Sequence, residues 1–230
     1  MVVLATKCYV EGDARERALD SLDSLVANDL ADLDVEWTIG VLDDEFVSVT
    51  VEGNDETAAR NLLRERWGEI TDHFEDGETY VGTLRYWDDG GWTLDAGKPI
   101  EIDRDELGLG PGDASQIRDR FGVVQHTPLR FVYDADGDHR LADGSRDMLY
   151  DWTRSDDDGA DSGGRLNVNS ATRGEVRATL NRAGHARDVI TVERLGLLEQ
   201  SVVCAEGTDP PGLLASVGEY LPAELKAVVP

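Results

Sequence analysis

The chain has 230 residues, 40% of them apolar, with 48 acidic against 22 basic residues and a formal charge of −26. That apolar share excludes a disordered chain, and the length allows two or three small cores. No stretch reaches 18 apolar residues and the opening MVVLATKCYVEGD lacks a basic n-region, so neither a membrane helix nor a secretory signal is predicted and a cytoplasmic location is expected.

An acidic chain with few lysines fits a salt-in halophile, where a Debye length of about 3 Å at about 1 M salt screens the mutual repulsion. The charge is uneven. Residues 1–164 hold 40 acidic and 15 basic residues, whereas residues 165–230 hold 8 and 7. Cys8 and Cys204 stand far apart with no metal-site spacing and are read as buried free thiols.

In chain order, residues 2–10 predict a strand. Asp13 with Glu16 reads as a capping box opening a helix whose apolar face is Leu19, Leu22, Val26, Leu30 and Leu33. Strands near 35–42 and 45–52 follow, then a helix from about Asp55 to Trp67. The order β-α-β-β-α over 1–71 is most of a ferredoxin-like unit. Over 72–154 glycines punctuate short strands, ETYVGTLRYW, GWTLDAG and KPIEID, which predicts a small barrel. A helix over 113–120 is capped by Asp113 and Gln116. A strand over 128–134 ends in the turn DADGD, and SRDMLYDWTR reads as a short helix. Residues 155–164, SDDDGADSGG, form an acidic linker. The segment 165–230 then reads β-α-β-β-α-β, with Thr172 and Glu175 as a capping box, Gly184 after the helix, and Asp209 before a first-turn proline. The expected fold is therefore α+β, with ferredoxin-like units at both ends of an S1/OB-like barrel.

The barrel carries a resemblance. Gly77, Tyr80, Gly82 and Leu84, then Gly91, Trp92, Leu94, Asp95 and Gly97, resemble the S1 group of OB-fold RNA-binding domains. The resemblance implies that Trp92, with Tyr86 and Trp87, lies on a face that stacks single-stranded RNA. Base stacking on such rings contributes about 1–3 kcal/mol per base. The alternative is that these rings fill the core. The stretches FGVVQHTPLRF, NVNSATRGEVRATLNRAGHARDV and VERLGLLEQSVVCAEGTDPPGL also resemble an archaeal, in particular haloarchaeal, family of proteins of unknown function. That resemblance implies a cytoplasmic protein tied to transcription, translation or tRNA processing.

The C-terminal arginines, Arg165, Arg173, Arg177, Arg182, Arg187 and Arg194 with His185 among them, are the second candidate. Arg173 and Arg177 are i, i+4 neighbours on one helix, and Arg182, His185 and Arg187 crowd its end. Arginine favours bidentate contact with phosphate or carboxylate. The alternative is internal pairing with Glu175, Asp188 and Glu193. GLGPGDAS (108–115) lacks the Lys and Ser/Thr of a phosphate loop, Asp134, Asp136 and Asp138 lack the rest of a calcium loop, and the four histidines share no ligand spacing. No catalytic residue, cofactor or metal is therefore assigned. The expected function is a non-enzymatic RNA-binding accessory factor of archaeal information processing, partnered by RNA or by the transcription and translation machinery. The alternatives are a protein-interaction module docking through the arginine-bearing domain, a homodimer included, and a small-molecule sensor.

Overall fold

The computed structural model describes residues 1–154, 162–221 and 223–230, and shows a mixed α+β protein with three antiparallel sheets. The N-terminal unit comprises β1 (Val2–Lys7), α1 (Gly12–Asp29), β2 (Val35–Val41), β3 (Phe46–Gly53) and α2 (Glu56–Trp67), with strand order β1-β3-β2. Beyond α2 the chain turns back along the free edge of β1. Ile70 N donates to Val3 O at 2.9 Å, and a single bridge joins Leu4 to Glu69. The reversal uses Gly68 at φ +72°, where a Cβ would press on the Val81 side chain at 2.9 Å.

The α1 stripe is as periodicity predicts: Leu22, Val26 and Leu30 are buried, and Leu19 and Leu33 pack at the margin. Its cap is not. The helix opens at Gly12, with Glu11 at the N-cap and no side-chain cap. Starting earlier moves Asp13 into the first turn, where its charge complements the helix dipole.

The central unit has β4 (Thr79–Trp87), β5 (Gly91–Asp95), β6 (Pro99–Asp103), α3 (Ala114–Phe121), β7 (Pro128–Val132), β8 (Arg140–Leu141) and α4 (Asp143–Thr153). The sheet runs β6-β5-β4-β7-β8 and curls until β6 and β8 approach each other. The two-residue β8 was missed because it is too short to show alternation. Asp113 and Gln116 do form a capping box on α3. The GLGPGDAS loop turns carbonyls inward. Gly110 O and Gly112 O each accept from Arg104 at 2.6 Å, the opposite polarity to a phosphate cradle. Asp134 Oδ1 accepts from Asp136 N at 2.8 Å, closing the DADGD turn on itself.

The C-terminal unit has β9 (Ser162–Val168), α5 (Arg173–Arg182), β10 (Val189–Arg194), β11 (Gln200–Ala205), α6 (Pro210–Val217) and β12 (Leu225–Val228), in the order β10-β11-β9-β12. Most of the expected 155–164 linker lies outside the described residues, and Ser162–Gly164 already belong to β9. Thr172 and Glu175 cap α5 reciprocally, and Asp209 accepts from Gly212 N.

The three units interlock. The β10–β11 turn places Leu197 and Leu198 in the N-terminal core, and Val228 of β12 joins the central core. Leu197 N donates to Thr6 Oγ1 at 2.8 Å. Lys7 Nζ, at the end of β1, meets Asp95 Oδ2 of β5 at 2.9 Å, with both side chains 10% exposed or less. No helix among the described residues is long and apolar enough to cross a membrane.

Candidate nucleic-acid interface and the junction of the three units

The barrel aromatics do not share one open face. Trp92 is 1% exposed, and its Nε1 donates to Ala114 O at 3.0 Å, so the ring is part of the core and closed to a base. This corrects the placement expected from the S1 pattern. Trp87 is half-buried beneath the guanidinium of Arg118, whose Cζ lies 3.4 Å from the ring centroid. Tyr86 alone projects, at 58% exposure. The hollow around it is lined by Asp88, Glu101 and Asp103, a field that repels phosphate.

The arginines are different. Internal pairing holds for part of the set: Asp188 meets His185 and Glu193 meets Arg165, whereas Glu175 is taken by Arg17 of the N-terminal unit. Arg173, Arg177, Arg182 and Arg187 form no ion pair among the described residues. Arg177, Arg182 and Arg187 are exposed, whereas Arg173 has a buried Nε without a partner. His185 leaves the set. Its Nδ1 meets Asp188 and its Nε2 meets Ser216 Oγ, each at 2.7 Å, so the ring clasps α6 rather than facing outward.

Beside these arginines lies a groove of about 390 Å³ between α1 and α5. Arg182, Thr179 and Tyr220 stand on its walls, and Tyr220 is 59% exposed. Sequence reading missed Tyr220. Its only signal was an aromatic residue in a short polar stretch after α6, with no motif around it. The groove pairs a free guanidinium with an open ring, a combination that suits a phosphate and its base.

A buried polar node joins the units on the other side. Tyr9 OH donates to Glu199 Oε1 at 2.7 Å and accepts from Ser170 N at 2.9 Å. Its ring stacks on His126 with centroids 4.0 Å apart. Glu199 Oε2 has no partner among the described residues. Burial pushes the Glu199 carboxyl up to about 8, against the Tyr9 bond that favours the ionised form. Burial and the nearby Lys7 push His126 down to about 4. Both groups are therefore neutral at pH 6.5–7.

These shifts have opposite signs in stability. An unfolded Glu199 ionises near 4.5, so unfolding releases a proton and stability falls as pH rises from about 4.5 to 8. An unfolded His126 takes up a proton near 6.5, so stability falls as pH drops from about 6.5 to 4. Above 6.5 Glu199 acts without His126. Glu199→Gln is expected to remove about 2 kcal/mol of stability loss between pH 6.5 and 8, measured by urea unfolding at both values. An unchanged slope in the variant means that Glu199 is already ionised in the fold.

Among the described residues no group of three or more His, Cys, Asp or Glu side chains could hold a metal ion. Three family models match consecutive stretches: the DUF2110 N-terminal domain over 1–73, the DUF2110 central domain over 74–153, and the DUF2110 C-terminal domain over 163–229. No curated protein matches the chain.

Proposed function

The chain belongs to the DUF2110 family, and we propose that it is a non-enzymatic RNA-binding accessory factor of archaeal information processing. One observation carries the reading: Arg177, Arg182 and Arg187 are exposed and form no ion pair among the described residues, in a chain whose net charge is −26. Exposed guanidiniums without internal partners are free to hold phosphate oxygens. Tyr220 supplies the ring that Trp92 cannot.

The fold supports the same reading at a finer level. The order β10-β11-β9-β12, with α5 and α6 in the connections, supports a ferredoxin-like reading of the C-terminal unit, and β1-β3-β2 with the Leu4–Glu69 bridge is consistent with the same plan. The curled central sheet is consistent with an S1/OB-like barrel serving as scaffold. The acidic remainder of the surface suits a haloarchaeal cytoplasm. In such salt, counterion release contributes little, so stacking and shape carry more of the affinity.

The test is fluorescence anisotropy with short single-stranded and structured RNAs at about 1–2 M KCl. Saturable binding is expected, weakened about tenfold or more by Arg177→Glu with Arg182→Glu and also by Tyr220→Ala. RNA affinity indifferent to the arginine reversal removes this interface.

A second reading rests on the sheet edge. β10 is an outer strand, Ile190 on it is 61% exposed, and a hollow of about 100 Å³ lies between it and α5 beside Arg177. That edge can pair with the same strand of a second copy. A mass that doubles with concentration in light scattering, together with no RNA binding, favours this docking role.

A further inference from the structure

A trough follows the seam between the three units. It consists of two adjoining hollows of about 260 and 170 Å³ that share Arg66, Trp67 and Leu195. Arg66 and Trp67 come from the end of α2, Leu195 follows β10, and Met148 of α4 forms the wall contributed by the central unit. Arg194, the last residue of β10, lines the larger hollow beside Asp29 of α1.

Donors and positive charge are in surplus here. Arg66 Nη2 meets Asp29 Oδ1 at 3.0 Å, which accounts for one cation and one acid. Arg194 has no acidic partner among the described residues, although burial and the nearby Arg173 and Arg66 hold its pKa below the ordinary arginine value. Such a depression marks a guanidinium whose loss of water outweighs the one acid near it, Asp29, which Arg66 already holds. Trp67 Nε1, on the lining of both hollows, is closed to solvent and has no acceptor among the described residues. A buried donor left unpaired costs about 1–3 kcal/mol. Every unmet group is a donor, and the missing complement is an oxyanion. Leu195 and Met148 add apolar wall, which gives room for an organic portion next to the anion.

We infer that the seam trough binds a phosphate-bearing small molecule, with the phosphate between Arg194 and Arg66 and the organic portion along Trp67, Leu195 and Met148. Guanidinium forks match phosphate geometry bidentately. Because the walls come from all three units, an occupied trough also ties them together. It shares no lining residue with the α1–α5 groove, so it stands or falls separately from RNA binding.

The test uses the full chain at about 1 M KCl, with inorganic phosphate, adenosine 5′-monophosphate and adenosine as probes in calorimetric titration and thermal unfolding. Phosphate and the monophosphate are expected to bind saturably and raise the unfolding temperature, and adenosine at least tenfold more weakly. A monophosphate tighter than phosphate assigns a phosphorylated organic ligand. Equal affinities assign free phosphate. Arg194→Gln is expected to weaken both phosphate probes tenfold or more. Should Arg194→Gln fail to fold, the exposed Arg66→Gln carries the same expectation. No saturable binding of either phosphate probe, or affinities unmoved by these seam variants, overturns the inference.

Discussion

Lys7→Met is expected to lower the unfolding free energy by about 3–5 kcal/mol, because it leaves the Asp95 carboxylate buried without its cation. The ammonium also donates to Asp44 O at 2.8 Å and lies 4.4 Å from the centroid of the Phe46 ring, so one side chain satisfies three partners in two units. The pair itself contributes far less than its removal costs, since both ions were desolvated to form it. The double variant Lys7→Met with Asp95→Asn is therefore expected to recover part of the loss. Urea unfolding of the wild type, the single variant and the double variant measures this. A single-variant loss below about 1 kcal/mol would show that water reaches Asp95 and that the pair behaves as a surface one.

Trp92→Ala carries the second large effect, about 3–5 kcal/mol from the lost burial of the indole and the cavity left behind. The deletion also leaves Ala114 O, at the head of α3, without the indole N–H. The expected result separates stability from recognition: the unfolding midpoint drops sharply, while RNA affinity, corrected for the folded fraction, stays within about twofold of wild type. Loss of affinity in fully folded variant would place the indole at the interface after all.

How far the sequence could be read depended on the range of the interaction. The capping boxes of α3 and α5, the stripe of α1 and the glycine after α5 all involve residues three or four apart, and each formed as its local chemistry dictates. The placement of the barrel aromatics was harder. The β4–β5 register shifts between Leu84 and Tyr86, and such an irregularity resets which face each later residue occupies. Counting by twos through that point cannot tell Tyr86, which projects, from Trp87, which lies under Arg118. The free state of Arg177 and Arg182 was beyond reach for another reason. It depends on Glu175 choosing Arg17 and on Glu193 choosing Arg165, partners 158 and 28 residues away. The node at Tyr9 and the seam at Arg194 likewise assemble from separate units, and neither leaves a spacing signature.

The Leu197–Leu198 turn in the N-terminal core has a consequence for synthesis. During synthesis the N-terminal unit lacks part of its own interior, and Thr6 waits for a backbone donor 191 residues downstream. Until that turn arrives, an apolar slot beside β1 stays open in the nascent chain. Folding of the N-terminal unit is then completed by the C-terminal unit, so truncation before residue 197 leaves that core exposed and prone to association.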